Sequence, residues 1–278
     1  MSLELDGQLL LVGAGKMGGA LLSGMLERGL KPSHVLIQDP APPSDIKDML
    51  SRFGLSAQAT PVCRNRSCSV IIIAVKPQLI ATVLPDVAAG YAGPATLVVS
   101  IAAGVRLSSL EEHLGEATAI VRAMPNTPAS IGRGMSVCCS NSCVEPHQRT
   151  LCDTLLGSVG ATAWVEDEGL MDPVTAVSGS GPAYVFLLAE CLARAGQKAG
   201  LEEKLAAKLA IETISGAGAL LKASQFSPAT LRENVTSPGG TTAAALEVLM
   251  ADEDGFKTLV EKAVAAATRR SRELSQSG

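Results

Sequence analysis

The sequence has 278 residues, a length comfortable for two domains, and 47% of them are hydrophobic against 18% charged, which is typical of an ordered globular protein. Its net charge of −4 provides no basic field, so we expect no nucleic-acid partner. No apolar run reaches the ~20 residues that span a bilayer, and the N-terminus lacks the basic and apolar regions of a secretory signal. We therefore expect a soluble cytoplasmic protein without a membrane partner.

The cysteines of the chain argue against a metal site. They are Cys63, Cys68, Cys138, Cys139, Cys143, Cys152 and Cys191. Their number is odd, and no CxxC pair or neighbouring histidine completes a zinc pattern. We interpret them as reduced thiols of a cytosolic protein and predict no metal.

The first half of the chain alternates short apolar runs with helical patterns, which indicates a parallel sheet covered by helices on both faces. The predicted strands are 8–12, 34–38, 70–75, 96–101 and 119–123, and the helices begin near Lys16, Ser44, Pro77 and Ser108. Two further strands at 135–140 and 162–166, flanking a helix at 146–156, are expected to extend the sheet. Right-handed crossovers then predict a doubly wound, Rossmann-type domain over residues 1–166.

The second half contains no strand pattern after residue 167. Helices are predicted at 182–199, 202–223, 228–234, 241–250 and 254–274. The first of these helices is apolar on most faces, through Val185, Phe186, Leu188, Leu192 and Ala195, and such a helix must be buried. We therefore predict an α/β protein whose C-terminal domain, residues 167–278, is all-α and forms a dimer. A compact monomeric bundle is the alternative.

A glycine-rich turn follows the first predicted strand and opens the first helix. Its sequence is Gly13-Ala14-Gly15-Lys16-Met17-Gly18. Gly13 permits the tight turn, Gly15 lets a pyrophosphate approach the backbone, and Gly18 lets the helix pack closely on the strand. The helix N-terminus offers unpaired N–H groups to the phosphates. This context predicts a dinucleotide site formed by all six residues, and the alternative is a turn that only packs.

An acidic residue, Asp39, ends the second predicted strand. At ~20 residues beyond the glycine-rich turn, such a side chain binds the 2′-hydroxyl of the adenosine ribose. A carboxylate there repels the 2′-phosphate of NADPH, and the first basic residue behind it is Lys47. The pattern therefore favours NADH over NADPH. Because Asp39 precedes Pro40, a purely turn-forming role stays open.

Five further segments have a distinctive order and spacing. They are Ala74-Val75-Lys76-Pro77, Ser100-Ile101-Ala102-Ala103-Gly104-Val105, Arg122-Ala123-Met124-Pro125-Asn126-Thr127-Pro128, Ser178-Gly179-Ser180-Gly181-Pro182-Ala183-Tyr184, and Asn234-Val235-Thr236-Ser237-Pro238-Gly239-Gly240-Thr241-Thr242. Together with the glycine-rich turn, and over essentially the whole chain, they resemble the pyrroline-5-carboxylate reductases. The resemblance implies NAD(P)H-dependent reduction of 1-pyrroline-5-carboxylate to L-proline by a homo-oligomer of at least two subunits.

Two of these segments end predicted strands at the edge where ligands bind in open α/β sheets. The resemblance implies that they line the ribose and nicotinamide of the cofactor, through Ala74, Val75, Lys76 and Pro77 in one and Ile101, Ala102 and Ala103 in the other. The small side chains of the second segment leave room for a flat ring. For Lys76, a role as an ordinary surface lysine stays open.

Two asparagines complete the predicted cofactor site. Asn126 lies in a loop restricted by two prolines, and its amide can both donate to and accept from the nicotinamide or its carboxamide. It could equally only brace its own loop. The resemblance places Asn234 against the cofactor from the C-terminal domain. The Gly/Ser turn at 178–181 resembles one that lies against the nicotinamide pocket, although close helix packing explains it equally well.

The segment 237–242 leads into a predicted helix and forms the candidate substrate site. Its glycines let the backbone fold around a small anion, and we expect Ser or Thr to cap the helix. The resemblance implies that Ser237, Gly240 and Thr241 hold the substrate carboxylate, with Thr242 beside the ring nitrogen as the catalytic residue. It also matches Glu168 to an acid near the substrate. An ordinary helix cap and, for Glu168, a solvated charge stay open.

Two other functions share parts of this pattern. A β-hydroxyacid dehydrogenase needs a lysine in the long helix after a Gly-rich turn, and this helix has none before Lys198. A non-catalytic NAD(P)-binding regulator would keep 13–18 without needing 237–242. One departure from the reductase pattern concerns an asparagine that contacts the adenosine: residues 59–63 contain none and Asn65 is displaced, so that role is not assigned.

Overall fold

The computed structural model describes Leu3, residues 5–60 and residues 67–276, and Cys63 and Asn65 lie outside these residues. The chain divides into two compact units. Unit 1 comprises Met1–Gly179 together with Thr268–Gly278, and unit 2 comprises Ser180–Ala267. Unit 1 carries the sheet, and unit 2 is built from helices.

Within the described residues, seven strands form the single sheet of unit 1. They are β1 (Leu9–Val12), β2 (Val35–Gln38), β3 (Val70–Ile73), β4 (Leu97–Ser100), β5 (Ala119–Met124), β6 (Gly134–Ser140) and β7 (Gly160–Trp164). The strand order is β2-β1-β3-β4-β5-β6-β7. The first five strands are mutually parallel, whereas β6 runs antiparallel to β5. Residues 125–133 are too short a connection for a parallel crossover, which needs ~12 residues or more.

The helices of unit 1 cover both faces of the sheet, as the apolar strands predicted. They are α1 (Lys16–Glu27), α2 (Ser44–Arg52), α3 (Ile80–Tyr91), α4 (Leu107–Leu114), α5 (Pro146–Leu156) and α6 (Met171–Val174). Leu9 and Leu11 of β1 pack with α1, α2 and α5 on one face, whereas Leu10 and Val12 pack with α3 and α4 on the other. This alternation follows from the two-residue period of a strand. The doubly wound fold is therefore confirmed.

The bounds of several elements differ from the sequence prediction. The stretch predicted to begin a helix near Pro77 starts with a 3₁₀ turn at Pro77–Leu79, because proline suits the first turn of a helix but contributes no N–H to it. The last strand lies at Gly160–Trp164 and not at 162–166. Its register is set by pairing with β6, where Gly134 lies opposite Gly160.

The helices of unit 2 follow in chain order. They are α7 (Gly181–Lys198), α8 (Glu203–Ala223), α9 (Pro228–Asn234), α10 (Thr241–Leu249) and α11 (Phe256–Gln276), whose final turns belong to unit 1. The helices α7 and α8 pack together closely, since a side chain at Gly196 would meet Leu201 and Ala206. Large apolar side chains nevertheless stay exposed on the single chain, including Phe186 at 66% and Ile211 at 59%. Exposed apolar surface of this extent marks an interaction site.

One described helical stretch, residues 168–198, is long and apolar enough to match a membrane span by length and composition. No apolar run of this length was predicted from the sequence. In the structure, a π-helical turn at Thr175–Gly179 continues α6 towards α7. An apolar helix that packs inside a soluble assembly passes the same test, so this segment does not by itself imply a membrane.

Candidate cofactor and substrate sites

The glycine-rich turn occupies the crevice of the sheet. The strand β1 lies between β2 and β3, so the chain leaves it at the point where the strand order reverses, which is where open α/β sheets bind ligands. Gly13 has a φ of +92°, and a Cβ atom added there would lie 2.8 Å from the carbonyl oxygen of Ala74. A Cβ atom at Gly18 would collide with the carbonyl of Gly13. Both glycines are therefore required by the fold itself.

Gly15 differs from these two glycines. Its φ is −74°, and a Cβ atom added there would have no neighbour within 4 Å among the residues that the structure describes. Gly15 precedes the first residue of α1, and no side chain among the described residues caps that helix. The N–H groups of the first turn, at Lys16, Met17 and Gly18, are thus available to an anion. The space beside Gly15 fits a pyrophosphate that must approach the backbone closely.

Asp39 holds the glycine-rich turn in place. Its Oδ2 accepts a hydrogen bond from the backbone N–H of Ala14 at 2.7 Å, and its Oδ1 accepts one from the N–H of Ala41 at 2.8 Å. The second bond is the turn-forming contact that the sequence left open. The first places a negative charge directly beside the predicted dinucleotide site. Both roles are therefore compatible with the geometry.

The segments after β3 and β4 lie at the same edge of the sheet as the glycine-rich turn. Ala74 donates to the carbonyl of Val12 at 2.7 Å, and Ile101 donates to that of Ile73 at 2.9 Å. Parallel pairing therefore continues to the ends of both strands. The other predicted residues of these segments come next in the chain. Val75 is half-buried, Ala102 is buried, and the exposed residues are Lys76, Pro77 and Ala103. The structure thus brings the predicted cofactor residues of unit 1, including Asn126 after the parallel strand β5, to the carboxyl edge of the sheet.

Asn126 uses its amide within the protein. Its Nδ2 donates to the carbonyl and hydroxyl oxygens of Ser178 at 3.2 and 3.3 Å, and its Oδ1 accepts from the N–H of Met135 at 2.9 Å. The side chain thereby ties the loop after β5 to the π-helical turn and to β6. This is the loop-bracing role that the sequence left open, and a contact with the nicotinamide stays a prediction.

Glu168 forms an ion pair with Arg122 that the sequence analysis did not anticipate. Its Oε1 accepts from Nη1 of Arg122 at 2.8 Å and from the N–H of Leu107 at 2.8 Å. Arg122 is only 5% exposed. An arginine in the otherwise apolar strand β5 was the available signal, because a buried charge requires a partner. The contact with substrate expected for Glu168 stays a prediction.

The buried cysteines of β6 are unreactive thiols. Burial raises the pKa of Cys139 to about 12, and the negative charge of Glu168 adds to this effect. The pKa of Cys138 is raised by its hydrogen bond with Cys152 and by burial. Since only the thiolate is a nucleophile or metal ligand, neither residue supplies one at neutral pH.

The candidate substrate loop forms a tight turn in unit 2. The N–H of Gly240 donates to the carbonyl of Ser237 at 3.0 Å, and Gly239 has a φ of +69°. Proline at the second position and a left-handed glycine at the third are the signature of a type II turn. The loop therefore depends on the Pro238-Gly239 pair for its shape.

The cap of the helix after this loop differs from the prediction. Gly240, and not a serine or threonine, occupies the N-cap position of α10, and no side chain among the described residues caps the helix. The expectation of a hydroxyl cap was therefore wrong, because the turn places the glycine at that position. The N–H groups of Thr241 and Thr242 begin the helix without a partner inside it. Thr242 is half-buried, whereas Ser237 and Thr241 are exposed, as is Asn234 at the end of α9.

The fold and these sites define a two-unit, dinucleotide-binding oxidoreductase. Residues 8–104 match the family model described as NADP oxidoreductase coenzyme F420-dependent, and residues 168–274 match the model described as pyrroline-5-carboxylate reductase dimerisation. The chain is 39% identical to a pyrroline-5-carboxylate reductase of Pseudomonas aeruginosa, over 95% of this chain and 96% of that protein.

Solved structures agree with this assignment. A pyrroline-5-carboxylate reductase from Coxiella burnetii is similar with a TM-score of 0.88 and 33% identity, covering 98% of this chain and 99% of that one. The Plasmodium falciparum pyrroline carboxylate reductase with NADP bound is similar with a TM-score of 0.81 and 32% identity, covering 97% and 98% of the two chains. The chain belongs to the pyrroline-5-carboxylate reductase family.

Proposed function

We propose that this protein reduces 1-pyrroline-5-carboxylate to L-proline with NADH or NADPH, the last step of proline biosynthesis. The observation that carries the proposal is that, within the described residues, each unit presents a helix N-terminus without a capping side chain, directly after a glycine-rich turn. The N-terminus of α1 suits the pyrophosphate of the cofactor, and that of α10 suits the carboxylate of the substrate. Family membership over nearly the whole chain supports both assignments.

The residues of unit 1 fit a dinucleotide. Backbone N–H groups of the turn 13–18 would hold the pyrophosphate, and Asp39 lies beside this turn at the ribose end. The segments 74–77 and 101–103 would line the ribose and nicotinamide. When bound, the reduced nicotinamide supplies the hydride for the reaction.

The chain's own residues bind and orient the substrate. The first N–H groups of α10 and the hydroxyl of Ser237 bind the carboxylate, and the Thr242 hydroxyl hydrogen-bonds the ring nitrogen. Fixing the imine at both ends aligns its carbon with the hydride donor, and such alignment contributes up to ~7–11 kcal/mol. A threonine hydroxyl is a poor acid, so the proton on nitrogen is present before binding or arrives through water.

An assay of cofactor oxidation tests the proposed function. In one assay, purified protein is mixed with 1-pyrroline-5-carboxylate and either NADH or NADPH. In a second assay, it is mixed with a β-hydroxyacid and the oxidised cofactor. The absorbance of the reduced nicotinamide is followed in both. We expect turnover of the imine. Turnover of the hydroxyacid alone would favour the dehydrogenase alternative, and turnover of neither would favour the regulator.

Cofactor preference depends on Asp39. We expect Asp39→Ser to raise the ratio of kcat/KM for NADPH to that for NADH by about tenfold, because it removes a negative charge that repels the 2′-phosphate. Steady-state kinetics with both cofactors measure the ratio. Asp45→Ser in α2 makes the same change in net charge and serves as the control. A ratio that is equal in the two variants would show that Asp39 only forms the turn.

We also propose a cytoplasmic homo-oligomer of at least two subunits, with no membrane or nucleic-acid partner, that covers the apolar faces of unit 2. The exposed Phe186 of α7 supports this proposal. Phe186→Glu should convert the assembly to monomers, because it would bury a charge at the interface. Light scattering coupled to gel filtration gives the mass. Gln197→Glu adds the same charge at an exposed polar position of α7 and should leave the mass unchanged.

A further inference from the structure

The carboxylate of Glu168 joins three separate segments of unit 1. It pairs with Arg122 in β5, it accepts from Leu107 at the start of α4, and it lies in a 3₁₀ turn at Glu168–Leu170 after β7. Both bonds reach the same oxygen, Oε1, at 2.8 Å. The side chain is 29% exposed, whereas that of Arg122 is 7% exposed. The pair is therefore anchored on the buried guanidinium.

The position of Arg122 relates this ion pair to the cofactor site. Arg122 lies opposite Ser100, the last residue of β4. The segment 101–106 begins directly after Ser100 and ends where Leu107 begins α4. Glu168 therefore contacts β5, beside the strand that precedes this segment, and the first residue of α4, the helix that follows it.

The same segment is supported from a second direction by the last turns of α11. A Cβ atom added at Gly104 would lie 3.8 Å from Cβ of Leu274, and Nη2 of Arg106 lies 3.5 Å from the Ser275 hydroxyl. Ser271 donates to the buried carboxylate of Asp172 at 2.7 Å. Because α11 packs against one side of the segment 101–106, we expect the hydrogen bond from Leu107 to Glu168 to determine the position of its C-terminal end.

The electrostatics hold Glu168 in this arrangement. A buried guanidinium without its partner is strongly unfavourable, and the N-terminus of α4 adds a favourable dipole for the carboxylate. Cys139, opposite Arg122 on β6, is a neutral thiol and does not compete for the guanidinium. Both bonds to Oε1 come from within the protein, so the carboxylate is held in place from two sides.

We propose that Glu168 and Arg122 are positioning residues, which act on hydride transfer by holding the segment 101–106 and do not touch the substrate. The inference rests on the proposed function, in which 101–103 lines the nicotinamide. Displacement of a reacting group by ~1 Å can cost 10²-fold in rate. An ion pair that sets the position of this segment therefore controls the chemical step.

The test replaces Glu168 with its neutral isostere. Glu168→Gln keeps an acceptor for Leu107 but removes the charge that pairs with Arg122. We expect kcat to fall between ~10-fold and ~100-fold, with the KM for 1-pyrroline-5-carboxylate unchanged. The deuterium isotope effect on kcat, measured with cofactor deuterated at the transferred position, should increase because chemistry becomes more rate-limiting. Glu166→Gln is the matched control, since Glu166 is 84% exposed and pairs with Arg149 at the surface.

Each other outcome overturns the inference. A raised substrate KM with an unchanged isotope effect would show that Glu168 contacts the substrate. A loss of kcat that only follows the folded fraction, measured by circular dichroism, would show a purely structural role, as would kinetics equal to those of Glu166→Gln. If Glu168→Gln does not fold, Arg122→Lys is measured against the same expectations. This variant keeps the buried positive charge but lacks the planar guanidinium that donates to Glu168. A wild-type protein without imine turnover would overturn the proposed function itself.

Discussion

Thr242→Ala should lower kcat for 1-pyrroline-5-carboxylate by about 100-fold, because it removes the hydrogen bond that fixes the ring nitrogen and aligns the imine carbon with the hydride donor. The dissociation constant for NADH should stay within about twofold of the wild-type value, because we assign the Thr242 hydroxyl to the substrate and not to the cofactor. Thr242 is half-buried at the second position of α10, behind the type II turn that starts at Ser237. Stopped-flow single turnovers and fluorescence titration with NADH measure the two quantities.

Thr241→Ala is the matched control for this experiment. Thr241 is the first residue of α10 and is exposed. Its proposed contribution to the substrate site comes from its backbone N–H, which alanine keeps, so we expect kcat within about threefold of wild type. A collapse of NADH affinity in Thr242→Ala would contradict the assignment of this loop to the substrate. Equal losses in both variants would show that the helix start was disturbed and that the hydroxyl has no specific role.

Gly15→Ala should abolish measurable cofactor binding at micromolar concentrations, a loss of about 100-fold or more, while the free energy of unfolding stays within about 0.5 kcal/mol of wild type. The φ of −74° suits alanine, and the new methyl group would meet no atom of the described protein within 4 Å. The same methyl group would occupy the space that the pyrophosphate needs. Urea unfolding followed by circular dichroism and titration with NADH measure stability and affinity separately.

Gly13→Ala provides the contrast. Its φ of +92° and the nearby carbonyl of Ala74 leave no room for a side chain. We therefore expect this variant to lose about 2 kcal/mol or more of unfolding free energy as well as its cofactor affinity. Normal NADH binding by Gly15→Ala would mean that phosphates bind elsewhere than at the start of α1.

The local sequence was sufficient for the order of elements. The apolar runs before Gly13, Ala74 and Ile101 became parallel strands, because a strand buried on both faces needs apolar residues at every position. Strand ends shifted by one or two residues, since pairing with a neighbour determines where a strand stops. The antiparallel direction of β6 was not predicted, because it depends on the length of a connection and on which edge remains free.

The polar contacts across the fold could not be read from the sequence. Asp39 and Ala14 are 25 residues apart, and Glu168 and Arg122 are 46 residues apart. A hydrogen bond between such distant residues depends on the packing of the whole unit, whereas a motif describes only neighbours in the chain. The sequence identified Asp39 and Glu168 as candidate site residues, but it did not reveal which N–H group donates to each carboxylate or which cation pairs with it.

By itself, then, the sequence determined the doubly wound sheet followed by helices, the glycine-rich turn and the family, because these depend on local periodicity, glycine conformation and motif order. The tertiary structure decided the partners of Asp39, Asn126 and Glu168. It did so because burial removes water, and each charge or amide placed in the interior must then find its partner among groups that folding brings near.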